Sequence, residues 1–205
     1  MPQSLIEVVD TWLSDHVPEY PKARLCVAVS GGADSATLLA LLAAVRDARP
    51  ARGRPRLRVV HVHHHLQSGA TEWVRRSRAL ARRFRVPFKV LHARVPRGKR
   101  RSLEADARDA RYALLREHLA DREVLLTAHH ADDQLETVLL QLLRGAGVKG
   151  LAAMPSMQAF GRGWIARPLL GLDRDAILGW ARAAGVEWIE DPRSEEHTSE
   201  LQSPI

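Results

Sequence analysis

Apolar residues along this chain follow two alternating patterns. Short apolar runs, typical of buried parallel strands, occur at Arg24–Val29, Leu57–Val62, Pro87–His92 and Glu123–Thr127. Helical spacing of apolar residues occurs at Leu5–Leu13, Asp34–Val45, Thr71–Phe84, Ser102–Leu119, Asp132–Leu143 and Ile177–Ala184. Strands that alternate with helices predict a parallel sheet. We therefore expect an α/β fold, a Rossmann-like doubly wound parallel sheet with helices on both faces.

Composition and charge narrow the class of protein. The 205 residues are 45% hydrophobic and 27% charged, as in ordinary globular chains. A net charge of +7 favours a polyanionic partner such as a nucleic acid, with solvated arginines as the alternative. The single cysteine, Cys26, excludes a disulfide framework and a cysteine-based zinc cage. No apolar run reaches the ~18 residues of a membrane span, and the N-terminus does not resemble a signal peptide. We expect a soluble, cytoplasmic protein that does not enter a membrane.

The end of the chain differs from the rest. Residues 193–205, RSEEHTSELQSPI, are polar and have neither a helical nor a strand period. They resemble one translated reading frame of a common sequencing-library adapter. We therefore predict one domain over residues 1–192 and an artefactual, disordered tail over residues 193–205, which implies that the natural protein is longer. A natural disordered tail is the alternative.

A glycine-rich loop is the first motif with chemical meaning. Residues Ser30–Ser35 read SGGADS and lie between the first sheet strand and a helix, at the edge of a parallel sheet where ligands bind. Gly31 and Gly32 allow backbone N–H groups to approach an anion, and the helix N-terminus adds its positive end. Asp34 suits Mg²⁺ or a helix cap. The spacing excludes a Walker A loop. A plain glycine-rich turn with serine and aspartate caps is the alternative.

A second motif, HHADDQLET at His129–Thr137, follows the strand Glu123–Thr127 and opens a helix. Asp133 and Glu136 are three residues apart, so they share a helix face and could hold Mg²⁺ or the ammonium group of an amino acid. An acidic helix cap with two solvated histidines is the alternative. His61–Leu66, HVHHHL, ends the second strand, and a histidine-rich metal tract is its alternative reading.

These motifs together resemble a known family. SGGADS is similar to the SGGxDS loop of the N-type ATP pyrophosphatases, or PP-loop enzymes, which cleave ATP to AMP and pyrophosphate. HHADDQLET resembles HHxDDQxET in the N-terminal domain of tRNA(Ile)-lysidine synthetases and related cytidine-modifying enzymes. HVHHHL resembles the family's HVxHGL but has His65 in place of glycine. Further segments that resemble the family in order are Leu103–Tyr112, Gly145–Met154, Arg167–Leu170 and Trp188–Pro192.

The resemblance implies an activity. Lysidine synthetases are ligases that use ATP to attach lysine to C2 of the wobble cytidine in a tRNA(Ile) with a CAU anticodon. The cytidine is adenylated first, and pyrophosphate and AMP are released. The implied cofactors are ATP and Mg²⁺. The implied partners are tRNA(Ile) and free lysine, with a homodimer as one option for assembly.

The resemblance also implies roles for individual residues. Asp34 would bind Mg²⁺, and Asp133 and Glu136 would hold the lysine substrate. His129 and Asp132 would assist at the reacting centre, and Arg111 would contact ATP or RNA. The basic loops Arg52–Arg58 and Arg97–Arg101 are candidate RNA contacts. The ATP phosphates would be bound by the loop residues Ser30, Gly31, Gly32, Ala33, Asp34 and Ser35.

Three alternatives stay open at this point. A tRNA cytidine thiolase shares both main motifs but needs cysteines to carry sulfur or a cluster, and Cys26 alone in the middle of a strand cannot do this. A small-molecule ligase such as NAD synthetase would fit the loop but not HHADDQLET. A fragment that binds nucleotide and RNA without turnover is the non-enzymatic alternative.

Overall fold

The computed structural model describes residues 4–64, 70–94, 103–143, 145 and 153–188. Its helices are α1 (Leu5–His16), α2 (Ala33–Asp47), α3 (Ala70–Arg83), α4 (Leu103–His118), α5 (Ala131–Leu143) and α6 (Arg174–Ala183). Its strands are β1 (Arg24–Ala28), β2 (Arg56–His63), β3 (Phe88–His92), β4 (Val124–Leu126), β5 (Met157–Phe160) and β6 (Gly163–Ala166). All helices and strands predicted from the apolar pattern are confirmed. In the part of the chain described, no helix is both long and apolar enough to span a bilayer.

The strand order reverses direction once, in the middle of the sheet. The order is β3-β2-β1-β4-β6-β5. The chain first builds outward from β1 through β2 to β3, and it then returns to the other side of β1 to add β4. Leu25 of β1 pairs with both Leu57 of β2 and Val124 of β4. In open α/β sheets, ligands bind beyond the carboxyl ends of the strands at such a reversal, here between β1 and β4.

The expectation of a wholly parallel sheet is wrong at one edge. The strands β5 and β6 form an antiparallel hairpin, and β6 joins β4 in parallel. Each has only four residues, and the half-exposed β5 has a single buried residue, Phe160. Such short runs show too little of an apolar period to predict a strand. An antiparallel edge on an otherwise parallel sheet is common, and a tight turn at Gly161, which has a φ of 60°, makes it possible here.

Two apolar layers cover the two faces of the sheet. Leu25 and Val27 of β1 pack with α1, α2 and α6 on one face, whereas Cys26 packs with Leu115 and Leu119 of α4 on the other face. Successive strand residues point to opposite faces, so the two layers follow directly from the strand period of two. The doubly wound architecture with helices on both faces is therefore confirmed.

One predicted RNA contact has a structural role. Arg58 of β2 forms two hydrogen bonds with Glu123, each of 2.6 Å, across the intervening strand β1. The Glu123 side chain is only 3% exposed and also accepts from the backbone N–H of Ala120. Although burial opposes ionisation, the Arg58 guanidinium keeps the pKa of Glu123 below its ordinary value. The charge of Arg58, at the end of the predicted RNA-contacting loop Arg52–Arg58, is therefore already used inside the fold.

The packing of the hairpin against β4 generates a stability prediction. A Cβ atom at Gly163 would lie 2.0 Å from the backbone oxygen of Glu123, which accepts the Trp164 N–H at 3.1 Å. We expect Gly163→Ala to lower the free energy of unfolding by about 2–3 kcal/mol, since backbone must move. In the matched control Gly179→Ala, at an exposed position of α6 with open space around it, the same change should raise stability by about 0.5–1 kcal/mol. Urea unfolding measures both values, and equal stability of the two variants would contradict the packing.

Candidate active site

The two main motifs emerge side by side at the carboxyl edge of the sheet. Val27 of β1 pairs with Leu126 of β4, so the segments that follow these residues start from adjacent strands, about 4.8 Å apart. One segment is the SGGADS loop and the other is the start of HHADDQLET. Both therefore border the crevice at the strand reversal, as the sequence predicted.

Hydrogen bonds within the SGGADS loop hold its shape. The Ser35 hydroxyl donates to the Gly32 carbonyl at 3.1 Å and accepts from the Ser30 N–H at 3.2 Å. The two serine hydroxyls lie 3.1 Å apart. Gly31 has a φ of 105°, in a region that residues with a side chain rarely adopt. Both serine hydroxyls are thus used to shape the loop, so the backbone N–H groups carry most of its capacity to bind an anion.

The helix that follows the loop starts without a side-chain cap. Gly32 is the N-cap residue of α2, and no side chain accepts a hydrogen bond from the first turn. The first N–H groups of a helix have no partner within the helix, and they carry its positive end. The start of α2, from Ala33 to Ser35, therefore offers free donors at the crevice, which suits a phosphate group. The alternative that Asp34 caps this helix is excluded by the same observation.

Asp34 links the loop to two other segments. One carboxylate oxygen lies 3.4 Å from Nε of Arg174 on α6, and the other lies 3.9 Å from Nε2 of His130. Among the residues described, no group of three His, Cys, Asp or Glu side chains is arranged to hold a metal ion by itself. Mg²⁺ commonly uses one or two protein carboxylates and takes its other ligands from phosphates and water. The half-buried Asp34 fits a magnesium ion that is held jointly with a phosphate.

One half of the alternative reading of HHADDQLET is confirmed, because the acidic side chain of Asp133 caps the start of α5. The other half is wrong, because His130 is buried and His129 is partly buried, so the two histidines are not simply solvated. His130 is 5% exposed and is the N-cap residue of α5. Its N–H donates to Asp133 at 2.8 Å, and its Nε2 lies 3.4 Å from the same carboxylate oxygen. His130 thus stands between Asp34 and Asp133 and connects the two motifs. Asp133 is half-buried, whereas Asp132 and Glu136 are exposed on the first turns of α5.

His129 is partly buried between the carboxylate of Asp133 and three arginines. Its Nδ1 is 2.9 Å from the Thr127 hydroxyl. Burial lowers the pKa of His129 to about 4; the Asp133 carboxylate opposes this shift, and the charges of three arginines add to it. Those arginines are Arg167, Arg108 and Arg111. The predicted site residue Arg111 is therefore in electrostatic contact with the crevice, and His129 is neutral at physiological pH.

The histidine segment of β2 has a supporting role where it is described. His61 is 5% exposed and lies with Nδ1 2.8 Å from the carbonyl of Val29, the residue before the SGGADS loop. Since a carbonyl only accepts, His61 donates from Nδ1 and fixes the exit of β1. This hydrogen bond favours a positioning role over metal binding. His65, which departs from the family pattern, lies outside the described residues.

Several positions that the sequence left without a role contribute to the site. Arg167 directly follows β6, is 6% exposed and donates from Nη1 to the Pro155 carbonyl at 2.7 Å. The Gln134 side chain forms hydrogen bonds of 2.9 and 2.7 Å with the backbone of Met154. The sequence could have indicated a role for Arg167, because it directly follows the apolar residues Trp164–Ala166. Those residues were not predicted to be a strand, so its position at a strand end was missed. Most of Gly145–Met154, the segment after Trp188 and the loop Arg97–Arg101 lie outside the described residues.

The other predicted RNA-contacting loop, Arg52–Arg58, lies away from the crevice. The residues before β2, including Arg52 and Arg54, are at the amino end of that strand. The candidate site is at the carboxyl ends of the strands, and a strand of eight residues spans roughly 26 Å. These arginines therefore do not border the site.

Cys26 is buried in the middle of β1. It is 1% exposed, and burial raises the pKa of its thiol to about 12. The smaller effects of Arg58, which lowers this pKa, and of Glu123, which raises it, oppose each other. A thiol in this state does not form the thiolate that sulfur transfer requires.

Comparisons with known proteins agree with the motifs. A family model described as the PP-loop domain matches residues 5–200. The tRNA(Ile)-lysidine synthases of Pseudomonas putida and Alkalilimnicola ehrlichii are 47% and 48% identical to this chain over 166 and 172 residues. These alignments cover 81% and 84% of this chain but 38% of each relative. The chain thus spans about two fifths of the length of these curated relatives.

Solved structures resemble the fold. The U34-tRNA thiolase NcsA from Methanococcus maripaludis, with its [4Fe-4S] cluster, has a TM-score of 0.72 and 17% identity over 91% of this chain and 66% of its own. The NH3-dependent NAD synthetase of Campylobacter jejuni has a TM-score of 0.57 and 13% identity over 89% of this chain and 72% of its own. At such identities the likeness concerns the fold alone. The matching family model and the curated relatives show that the chain belongs to the PP-loop family and that its relatives there include the tRNA(Ile)-lysidine synthases.

Proposed function

We propose that residues 1–192 form the PP-loop synthetase domain of an enzyme that uses ATP to ligate lysine to C2 of the wobble cytidine in tRNA(Ile) with a CAU anticodon. The main support for this proposal is that the SGGADS loop and the HHADDQLET motif border the same crevice. The His130 ring lies between Asp34 of the loop and Asp133 of the motif. The relatives named tRNA(Ile)-lysidine synthase support the choice of reaction. Since the substrate is tRNA, we place the reaction in the cytoplasm. The homodimer stays a prediction.

The SGGADS loop would bind the phosphates of ATP. The uncapped N-terminus of α2 presents free N–H groups, and Gly31 lets the backbone approach closely. Asp34 would hold Mg²⁺ together with a phosphate, and the bound ion would stabilise the negative charge of departing pyrophosphate. Arg174, beside Asp34, would add a fixed positive charge at the same place.

The reaction would take place in two steps. In the first, the C2 oxygen of cytosine attacks the α-phosphorus of ATP, and the bond to pyrophosphate breaks. In the second, the neutral ε-amine of lysine attacks C2, the C2–O bond breaks, and AMP leaves with that oxygen. The order is reasonable, because the C2 oxygen is a poor leaving group until it carries the adenylate.

The start of α5 would bind lysine and receive protons. Lysine enters as an ammonium ion, which the carboxylates of Asp133 and Glu136 would attract. Asp132, exposed in the same turn, would accept the proton that leaves before attack. After the C–N bond forms, the amine nitrogen is acidic, and the neutral ring of His129 could take its second proton. These assignments follow the resemblance and agree with the placement of the residues on α5.

A thiolase reaction is less well supported. The solved thiolase resembles this chain only in fold, and Cys26 is buried with a raised thiol pKa. A fragment that binds nucleotide without turnover would bind ATP and release no pyrophosphate, so the next experiment distinguishes it.

We predict that Asp34→Asn abolishes adenylation. The wild-type chain should release pyrophosphate when it is given ATP and a tRNA(Ile) transcript with CAU, and much less with a transcript that has uridine at the wobble position. Asp34→Asn removes the carboxylate charge at the loop and should lower this rate at least about 100-fold. The control Asp47→Asn removes the same charge at the other end of α2, where Asp47 pairs with Arg46, and should leave the rate unchanged. Full activity of Asp34→Asn would contradict the assignment of Asp34 to the adenylation site.

We also predict that His129 stays neutral over the physiological pH range. Its pKa of about 4 lies below the ordinary value, so the folded protein binds the proton less readily than the unfolded chain does. This site therefore makes the protein less stable as pH falls from about 6.5 toward 4. Nitrogen-15 NMR of the imidazole, assigned with His129→Gln, should show no titration between pH 5.5 and 8. A titration midpoint of His129 near pH 6.5 would contradict its burial near the three arginines.

A further inference from the structure

Arg167 is a buried cation with unused hydrogen-bonding capacity. It is 6% exposed, its backbone N–H donates to Ser156 at 2.8 Å, and its Nη1 donates to Pro155 at 2.7 Å. Its buried Nε has no hydrogen-bond partner. Burying an uncompensated charge and an unpaired donor is costly, so such a group in a crevice usually has a ligand.

Two more guanidinium groups lie on the same side of the sheet. Arg108 and Arg111 of α4 flank the ring of Tyr112, at 5.7 and 5.3 Å from its centroid. Tyr112 in turn packs edge-on against Phe160 of β5, at 6.2 Å between ring centroids. Phe160 pairs with Gly163 at the amino end of β6, so Tyr112 lies toward that end of the sheet. Since α4 ends at His118, shortly before β4 begins at Val124, its first half extends from there toward the carboxyl ends of β4 and β6. All three arginines act on His129 electrostatically, and Arg108 also acts on Arg167. We call Arg108, Arg111 and Arg167 the arginine cluster.

Across the described ranges, none of the three arginines of the arginine cluster forms an ion pair with a carboxylate, in contrast to Arg49, Arg58 and Arg174. Like charges that converge without a counterion repel one another, and an added anion removes that repulsion. The forked donors of arginine match the oxygens of phosphate and carboxylate groups.

The place and charge of the cluster favour phosphate. Arg167 follows β6, which is two strands from β1, so it starts roughly 10 Å from the SGGADS loop. That offset leaves room for one phosphate in addition to those on the loop. A single carboxylate carries one negative charge, which does not neutralise three guanidinium groups. A phosphate offers more oxygens as acceptors, and a terminal phosphate also carries more negative charge.

We propose that the arginine cluster of Arg108, Arg111 and Arg167 binds a phosphate group of a nucleotide substrate beside the crevice. The phosphate is either that of ATP or one in the backbone of the RNA. The inference rests on the proposed function, because it uses the same two substrates. Arg167 would then be a binding residue that is held in place by Pro155 and Ser156.

Binding measurements without turnover test this site. ATP affinity is measured by calorimetry, and RNA affinity by fluorescence anisotropy with a labelled hairpin that carries the CAU anticodon loop. The variants are Arg167→Lys, which keeps the charge but loses the fork, and Arg111→Gln on the half-exposed face of α4. The control is Arg116→Gln on the same helix, where an exposed arginine contacts Phe160 outside the cluster. Thermal melting verifies that each variant is folded.

We expect both cluster variants to bind one of the two ligands at least about tenfold more weakly, with the control unchanged. Loss of ATP affinity alone assigns the phosphate to ATP. Loss of RNA affinity assigns the phosphate to RNA. For Arg111→Gln, the slope of log RNA affinity against log salt concentration should then fall by about one, the value for one lost phosphate contact. If wild type and variants bind both ligands equally, or only the KM for lysine rises, the cluster is not a phosphate site, although the proposed function stands. If the wild-type chain binds neither ligand, the proposed function fails, and the phosphate site with it.

Discussion

The parallel pairing of β1 with β4 is the constraint on which the site depends. Because these strands are adjacent and run the same way, the segments after them must emerge together. The reversal of strand order at this pair leaves a crevice instead of a covering helix. Two motifs about 100 residues apart in the chain therefore meet, and His130 lies between their carboxylates Asp34 and Asp133. The Arg58–Glu123 pair supports the same arrangement from within the sheet, because it ties β2 to the start of β4 across β1.

The crevice separates charges in a way that suits two substrates of opposite sign. The N-terminus of α2, Arg174 and the arginine cluster supply positive charge for phosphates, while the start of α5 presents carboxylates. Burial and the arginines keep His129 neutral between these regions. A neutral ring there would not repel an incoming ammonium ion. The electrostatics therefore agree with a reaction that brings an amine to a nucleotide.

Most of the fold could be predicted from the sequence because its apolar runs are long and regular. The strands β1 to β4 and all the helices have a clear period, and the SGGADS and HHADDQLET motifs lie at strand ends. The hairpin of β5 and β6 has four-residue strands, so it has too few positions to show a period. Without this hairpin, Arg167 had no predicted role although Arg167–Leu170 resembles the family, because that role depends on its position directly after a strand. The structural role of Arg58 could not be predicted either, because its partner Glu123 is 65 residues away and is brought close only by the strand order.

The central claim is that this crevice joins lysine to a tRNA cytidine, and analysis of the RNA product tests it most directly. The chain is incubated with ATP, lysine and a tRNA(Ile) transcript with a CAU anticodon, and the digested nucleosides are examined by mass spectrometry. We predict that the wobble cytidine gains the mass of one lysine less one water, only when ATP is present, and that a uridine at that position stays unmodified. An unmodified cytidine from a folded chain that binds ATP and the transcript would contradict the account.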